Sequence, residues 1–205
     1  MSQRITGLYR LTQVPAVYAA FQNLLGGPRT RAALIADYLR PAPGMRVLDI
    51  GCGSASLLPD LGPVAYTGID LNPEHIAAAK ARFGTSATFL CGSVAGLGAL
   101  AQGPFDLVMG IGVLHHLDDP EVDALARDVA ARLAPGGRFV TVDPAFTPGQ
   151  NPVARWLAAR DSGQSVRTPE GYAERLRPQF RDVAAAVRHD LLRVPYTHCI
   201  LTASA

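Results

Sequence analysis

Between residues 45 and 143 the chain alternates short apolar runs with stretches of helical periodicity, the pattern of a parallel sheet wrapped by helices. The apolar runs 45–50 (MRVLDI), 65–70, 87–91, 105–110 (FDLVMG) and 137–143 (GRFVTVD) are five predicted strands. The breaker Pro41-Ala42-Pro43-Gly44 precedes the first of them. Residues 73–83 and 120–133 read as helices, each with Pro in the first turn, where its missing N–H costs nothing, and acids close behind. Leu133-Ala134-Pro135-Gly136-Gly137 is expected to stop the second helix and turn the chain into the fifth strand.

The flanks differ. Helices are predicted at 14–25 and 30–39, separated by Gly26-Gly27-Pro28. Past the fifth strand, a Pro- and Gly-rich stretch contains predicted helices at 153–161 and 170–177. The segments 182–194 and 196–203, split by Pro195, can supply two closing strands. The 205 residues fit a single domain: a helical lid over 1–44, a core over 45–143, and a substrate segment with the last strands over 144–205.

Composition narrows the class. Hydrophobic residues at 48% against 18% charged argue against disorder. No apolar run approaches the roughly 20 residues that cross a bilayer, and the start MSQRITGLYR lacks a secretory layout, so a cytoplasmic protein is expected. Cys52, Cys91 and Cys199 are far apart and form no CxxC pair, so neither a disulfide framework nor a metal site is expected. Net charge is +2, too small to imply nucleic acid. Its distribution is uneven: +4 over 1–45, −5 over 46–150 and +3 over 151–205. An acidic middle suits a cationic ligand, and basic flanks are compatible with an anionic small molecule. Compositional bias, with 18 Arg against the single Lys80, explains the flanks equally well.

The informative stretch is Val47-Leu48-Asp49-Ile50-Gly51-Cys52-Gly53-Ser54-Ala55. A buried strand ends in an acid, and a tight Gly-x-Gly turn is expected to feed a helix, its glycines letting backbone approach a ligand. A second acid, Asp70, closes the next strand 19 residues after Gly51. A carboxylate at that strand end can accept hydrogen bonds from both hydroxyls of a ribose. A dinucleotide site adds a third small residue and holds a pyrophosphate on the helix N-terminus. Asp49 would repel phosphate but suits a ligand carrying an ammonium and a sulfonium, which favours S-adenosylmethionine over NAD.

Together with Phe105-Asp106-Leu107-Val108, Val113-Leu114-His115-His116-Leu117 and the Leu133–Gly137 turn, these motifs resemble the class I S-adenosylmethionine-dependent methyltransferases. That resemblance implies a Rossmann-like, doubly wound seven-stranded α/β sheet with an antiparallel last strand and helices on both faces. By the same resemblance Asp49, Gly51, Cys52 and Gly53 line the methionine part of the cofactor, Asp70 holds the ribose and Leu71 packs on the adenine. Ser93 and Val94 meet the adenine edge, and Gly110 and Ile111 border the amino-acid end. Tyr18, with Tyr9 and Phe21, is expected to cap the cofactor from the lid.

Methyl transfer to an O, N or C nucleophile of a small acceptor is therefore the expected activity. His116 and His115 are candidate general bases, since imidazole titrates near neutrality, and a structural role stands beside that reading. Tyr196 and His198 read as strand residues. Arg155, Arg160 and Arg167, near Trp156, are candidates to clamp an anionic acceptor. The alternatives are an NAD-linked oxidoreductase, which lacks its third glycine here, and a non-catalytic binding module. A base-modifying enzyme is disfavoured because Gly110-Ile111-Gly112-Val113 carries no Pro-Pro-aromatic signature.

Overall fold

The computed structural model describes residues 27–94, 97–161 and 163–204. The helix expected at 14–25, with Tyr9, Tyr18 and Phe21, lies outside the described residues. Seven strands form one sheet in the order β3-β2-β1-β4-β5-β7-β6. They are β1 (Arg46–Ile50), β2 (Ala65–Asp70), β3 (Thr88–Cys91), β4 (Phe105–Ile111), β5 (Leu133–Pro144), β6 (Asp182–Arg188) and β7 (His198–Ser204). Strands β1 to β5 run parallel, and β7 is antiparallel to both β5 and β6. The order reverses between β1 and β4, and in such sheets ligands bind outside the carboxyl ends of the strands at that reversal.

Both faces of the sheet are covered, because side chains alternate along each strand. Leu48, Ile50, Val108 and Phe139 join one apolar cluster, whereas Val47, Leu107, Met109 and Val140 join the other. Helices α1 (Gly27–Leu34) and α2 (Pro73–Phe83) cover the second cluster through Leu34, Ile76 and Ala79. The first cluster is covered by α3 (Leu97–Leu100), α4 (Asp119–Ala130) and α6 (Pro169–Leu176), with Leu97, Val122, Leu125, Val129, Tyr172 and Leu176 all buried. The remaining helix, α5 (Pro152–Ala159), buries Ala154 and Ala158.

The Pro-headed helices start where a polar cap meets a proline. Asn72 accepts from the Glu74 N–H at 2.9 Å, Asn151 from Val153 at 2.9 Å and Thr168 from Gly171 at 3.1 Å. Asp118 and Glu121 exchange both bonds of a capping box, each at 3.0 Å. Each cap satisfies an N–H that would otherwise lack a partner.

Four local expectations are corrected. The glycine turn after β1 feeds no α-helix: residues 51–57 run through successive turns into the single 3₁₀ turn Leu58–Asp60. Pro59 and the Gly62-Pro63 pair leave too little chain between breakers, and Ala55 takes a left-handed φ of 54°. The helix expected at 30–39 starts earlier, at Gly27, and ends in a wider π-type turn, Ile35–Leu39. Helix α4 ends at Ala130, and β5 starts at Leu133, which pairs with Phe105 before the register shifts to Leu107↔Arg138. The Pro-Gly-Gly is thus a bulge within β5, with Gly136 at φ 75°, rather than a loop before it. The closing strands are also shorter than expected, with 189–197 forming the connection between them.

Candidate functional site

Register brings the expected cofactor residues to one edge of the sheet. Ile50 pairs with Ile69 on one side and Gly110 on the other, and Asp70 pairs with Cys91. Asp49, Gly51, Cys52, Gly53, Asp70, Leu71, Ser93, Val94, Gly110 and Ile111 thus lie along the carboxyl ends of β1 to β4, where the strand order reverses. Tyr18 lies outside the described residues.

The glycine turn is held by the neighbouring strand. The Gly51 and Cys52 N–H groups both donate to the Ile69 carbonyl, at 2.8 and 3.0 Å. Gly51 has φ 70°, and a Cβ there would stand 2.7 Å from Val113 Cγ2, so this position requires glycine on two counts. Gly53, at φ 55°, differs: a Cβ would meet nothing within 4 Å, so its outer side faces open space that a ligand can occupy.

Asp70 closes the turn from the far side. Its Oδ2 accepts from the Gly53 N–H and its Oδ1 from the Asn72 N–H, each at 2.8 Å. Burial opposes its ionisation, but the neighbouring His75 and these N–H donors prevail and hold the carboxyl below the usual range. Each oxygen keeps a further lone pair, so the pair of acceptors a ribose diol needs is present. Beside it Leu71 is 53% exposed, an apolar side chain left without cover at a strand tip.

Asp49 is placed differently. It is buried, and its Oδ2 accepts from the Tyr66 hydroxyl at 2.6 Å. Desolvation pushes its carboxyl up to about 7; the Tyr66 bond works against this and the charge of Asp70 adds to it. The partner strand makes room for this arrangement, since a Cβ at Gly68 would stand 2.8 Å from Cys52 Sγ and 2.9 Å from Tyr66 Cε1. Burial likewise drives the Cys52 thiol and the Tyr66 hydroxyl to higher pKa, keeping both neutral. Two acids at adjacent strand tips, one coupled to the other, form a negative focus facing the turn.

The other two candidates, His115 and His116, sit in the 3₁₀ turn Leu114–His116 after β4. His115 is buried between two carboxylates: Nδ1 lies 2.8 Å from Asp143 Oδ1, and Nε2 lies 3.1 Å from Asp161 Oδ1. Desolvation disfavours its charge, yet the two carboxylates outweigh it and raise the imidazole to about 9. Asp161 is held down at about 2 by the same pairing, against its own burial. His116 lies against His115, ring centroids 4.0 Å apart, and burial plus its neighbour's charge lower it to about 4. The strap formed by residues 163–165 closes over this turn: Ser165 N–H donates to the His115 carbonyl at 3.0 Å, and Gly163 passes so close that a Cβ would lie 2.1 Å from His115 Cδ2.

The sequence reading missed Tyr66, Asp143 and Asp161. A Tyr at 66 and an acid at 143 were visible, but no local pattern pairs them with residues 17 and 28 positions away. Tyr196, read as a strand residue, instead precedes β7 and donates to Asp161 Oδ2 at 3.1 Å. His198 opens β7 with its Nδ1 buried and unpartnered. Of the arginines proposed as an anion clamp, Arg167 is consumed internally, bonding Asp119 and the carbonyls of Leu114, Leu117 and Ser165. Arg155 lies over Phe146 and Arg160 over Trp156. A cavity of about 460 Å³ opens instead between residues 147–154 and the β6–β7 connection, lined by Thr147, Gln150, His189, Arg193, Pro195 and Tyr196. Because β7 is antiparallel, that connection lies at the same sheet edge as the glycine turn.

Comparison with known proteins agrees with this geometry. A family model described as "Methyltransferase domain" matches residues 47–137, from β1 to the bulge of β5. A ubiquinone biosynthesis O-methyltransferase of Xanthomonas axonopodis pv. citri is 35% identical over 114 residues, 53% of this chain and 46% of that protein. An uncharacterized methyltransferase of Synechocystis is 31% identical over 137 residues, 64% of each chain. This chain therefore spans about half to two-thirds of the length of these curated relatives. Among solved structures, a TehB-like S-adenosylmethionine-dependent methyltransferase from Corynebacterium glutamicum shares the fold at a TM-score of 0.64 and 18% identity, over 93% of this chain and 97% of that one. Residues 47–137 are thus similar to a methyltransferase domain, and the chain shares its fold with a solved methyltransferase.

Proposed function

We propose that this chain binds S-adenosylmethionine at the carboxyl ends of β1, β2 and β4 and directs its methyl group to an O, N or C nucleophile of a small-molecule acceptor. When bound, the cofactor supplies a methyl group already activated by a sulfonium leaving group, and S-adenosylhomocysteine remains after transfer. The observation that carries the reading is the Asp49–Gly51–Gly53–Asp70 arrangement: two coupled carboxylates flank a glycine turn whose outer side is open.

In this reading Asp70 accepts from the ribose, Leu71 covers the adenine with its exposed apolar face, and Asp49 complements the positive end of the ligand. Ser93 and Val94 border the adenine, and Gly110 and Ile111 the methionine end. The protein's own contribution is alignment, which alone can supply about 7–11 kcal/mol. Both ring nitrogens of His115 are engaged by carboxylates, so it is not placed as a base toward an acceptor and serves to position Asp161. The 460 Å³ cavity beside Tyr196 is the acceptor pocket in this account, of a size that suits a small molecule. Arg193 and His189 on its wall suit an acceptor bearing an anionic group.

Incubation with methyl-labelled S-adenosylmethionine, separately with pooled small metabolites, RNA and protein fractions, tests the reading. Label is expected in a small molecule. Label confined to RNA or protein would refute the acceptor class, and no transfer to any fraction by a protein that binds the cofactor would refute the activity.

A further inference from the structure

His115, His116 and Asp161 each offer a ligand atom, one nitrogen per imidazole and one carboxylate oxygen, all within 4.8 Å of one another. We propose that these three residues bind a divalent transition-metal ion of the zinc class, with one coordination position left open. The cysteines gave no expectation of such a site, and it owes nothing to them.

The donor set is the first argument. Imidazole and carboxylate together suit zinc, cobalt, nickel or ferrous iron, and three protein donors with an open fourth position are typical of reactive rather than purely structural sites. His115 Nε2 and Asp161 Oδ1 already stand 3.1 Å apart, close to the roughly 3.3 Å between two donors on one tetrahedral ion with bonds of about 2.0–2.1 Å. His116 must close by a further rotation of its ring, a soft torsion. Its Nδ1 is buried and has no hydrogen-bond partner.

The surroundings are the second argument. A histidine that binds metal through one nitrogen commonly gives its other N–H to a carboxylate, which fixes the ring. Asp143 does this for His115, at 2.8 Å from Nδ1, and the same oxygen also accepts the His115 backbone N–H at 3.1 Å. Asp161 is oriented in turn by the Gly163 N–H at 3.0 Å and the Tyr196 hydroxyl at 3.1 Å. Every donor but His116 therefore has an aligned support.

Position is the third argument. On binding, the Nε2 proton of His115 passes to solvent and its lone pair goes to the metal. The ion would tie Asp161 to the turn after β4 and stand behind Tyr196, on the wall of the cavity.

Untagged protein of all 205 residues, stripped with a chelator, is titrated with cobalt(II) chloride and then with zinc. One equivalent of cobalt is expected to give the visible bands of a low-coordinate ion, which zinc abolishes. His116→Ala and Asp161→Asn should each weaken cobalt binding at least about tenfold, and Asp143→Asn about 10–100-fold. Circular dichroism and cooperative unfolding check that each variant is folded. Absence of bands in folded wild-type protein overturns the proposal. So does an unchanged spectrum and affinity in a folded His116→Ala/Asp161→Asn double variant.

Discussion

The Tyr66 hydroxyl donates to the Asp49 carboxylate at 2.6 Å, linking the start of β2 to the end of β1. Both groups are buried, so each is the other's replacement for water. In Tyr66→Phe the carboxylate loses a hydrogen bond that stabilises its charged form. A buried acceptor left unsatisfied costs about 1–3 kcal/mol, and chemical unfolding of the variant should show a loss in that range. Equal stability of variant and parent would mean that Asp49 finds another donor.

Asp49 also sets a pH dependence. Its carboxyl is raised from 3.8 to about 7, so between those values the folded protein binds a proton that the unfolded chain does not. This group's contribution to stability is therefore largest at low pH, declines as pH rises from about 4 to about 7, and is constant above. Binding of a cationic ligand has the opposite sign, because it favours ionised Asp49. S-adenosylhomocysteine, through its ammonium, should bind more weakly as pH falls below about 7, by up to about tenfold per pH unit. Calorimetry over roughly pH 5.5 to 8.5, a range that spans that value, reads the slope. A flat profile in wild type, or a slope that survives in Asp49→Asn, contradicts the assignment.

Gly51→Ala tests the turn by sterics alone. The new Cβ would meet Val113 Cγ2 at 2.7 Å on a backbone with φ 70°. Overpacking and strain of this kind cost about 1–3 kcal/mol each, and the variant should lose cofactor affinity more than it loses secondary structure. Gly53→Ala meets no neighbour within 4 Å and carries only the strain of its φ of 55°. It should therefore fold better than Gly51→Ala while still impairing binding, as calorimetry paired with thermal unfolding would show.

Gly163→Ala probes the strap. Its Cβ would fall 2.5 Å from the His115 carbonyl oxygen, a backbone atom that cannot rotate away. The strap must lift, breaking the Ser165–His115 bond, and hydrogen exchange at the Ser165 amide should accelerate. Unchanged protection there would show that the chain passes His115 by another path.

What the sequence disclosed depended on how local each signal was. Strand ends such as Ile50 and Asp70 were legible because apolar runs stop near Gly or Pro, and α2 because a proline stands in its first turn with an acid close behind. The glycine turn was legible, but its sequel was not: the eight residues between Gly53 and Gly62, with Pro59 inside, hold a 3₁₀ turn and not an α-helix. The His115-His116 pair stood out as chemistry, yet its partners Asp143 and Asp161 come from β5 and from the end of α5. Only the packing of the strap against the turn after β4 brings them together. Arg167 looked like a free cation because the carbonyls of Leu114, Leu117 and Ser165 that hold it leave no mark in side-chain sequence.

The proposed grip of Asp70 and the glycine turn on an adenosine-containing cofactor is read most directly by isothermal calorimetry with S-adenosylhomocysteine. One site per chain is expected in the wild type, weakened at least about tenfold, or 1.4 kcal/mol, by Asp70→Ala, since a charge-assisted pair of hydrogen bonds is lost. NAD should produce no comparable heat. Tight NAD binding with no response to S-adenosylhomocysteine, or an affinity that Asp70→Ala leaves unchanged in a folded protein, would contradict the account.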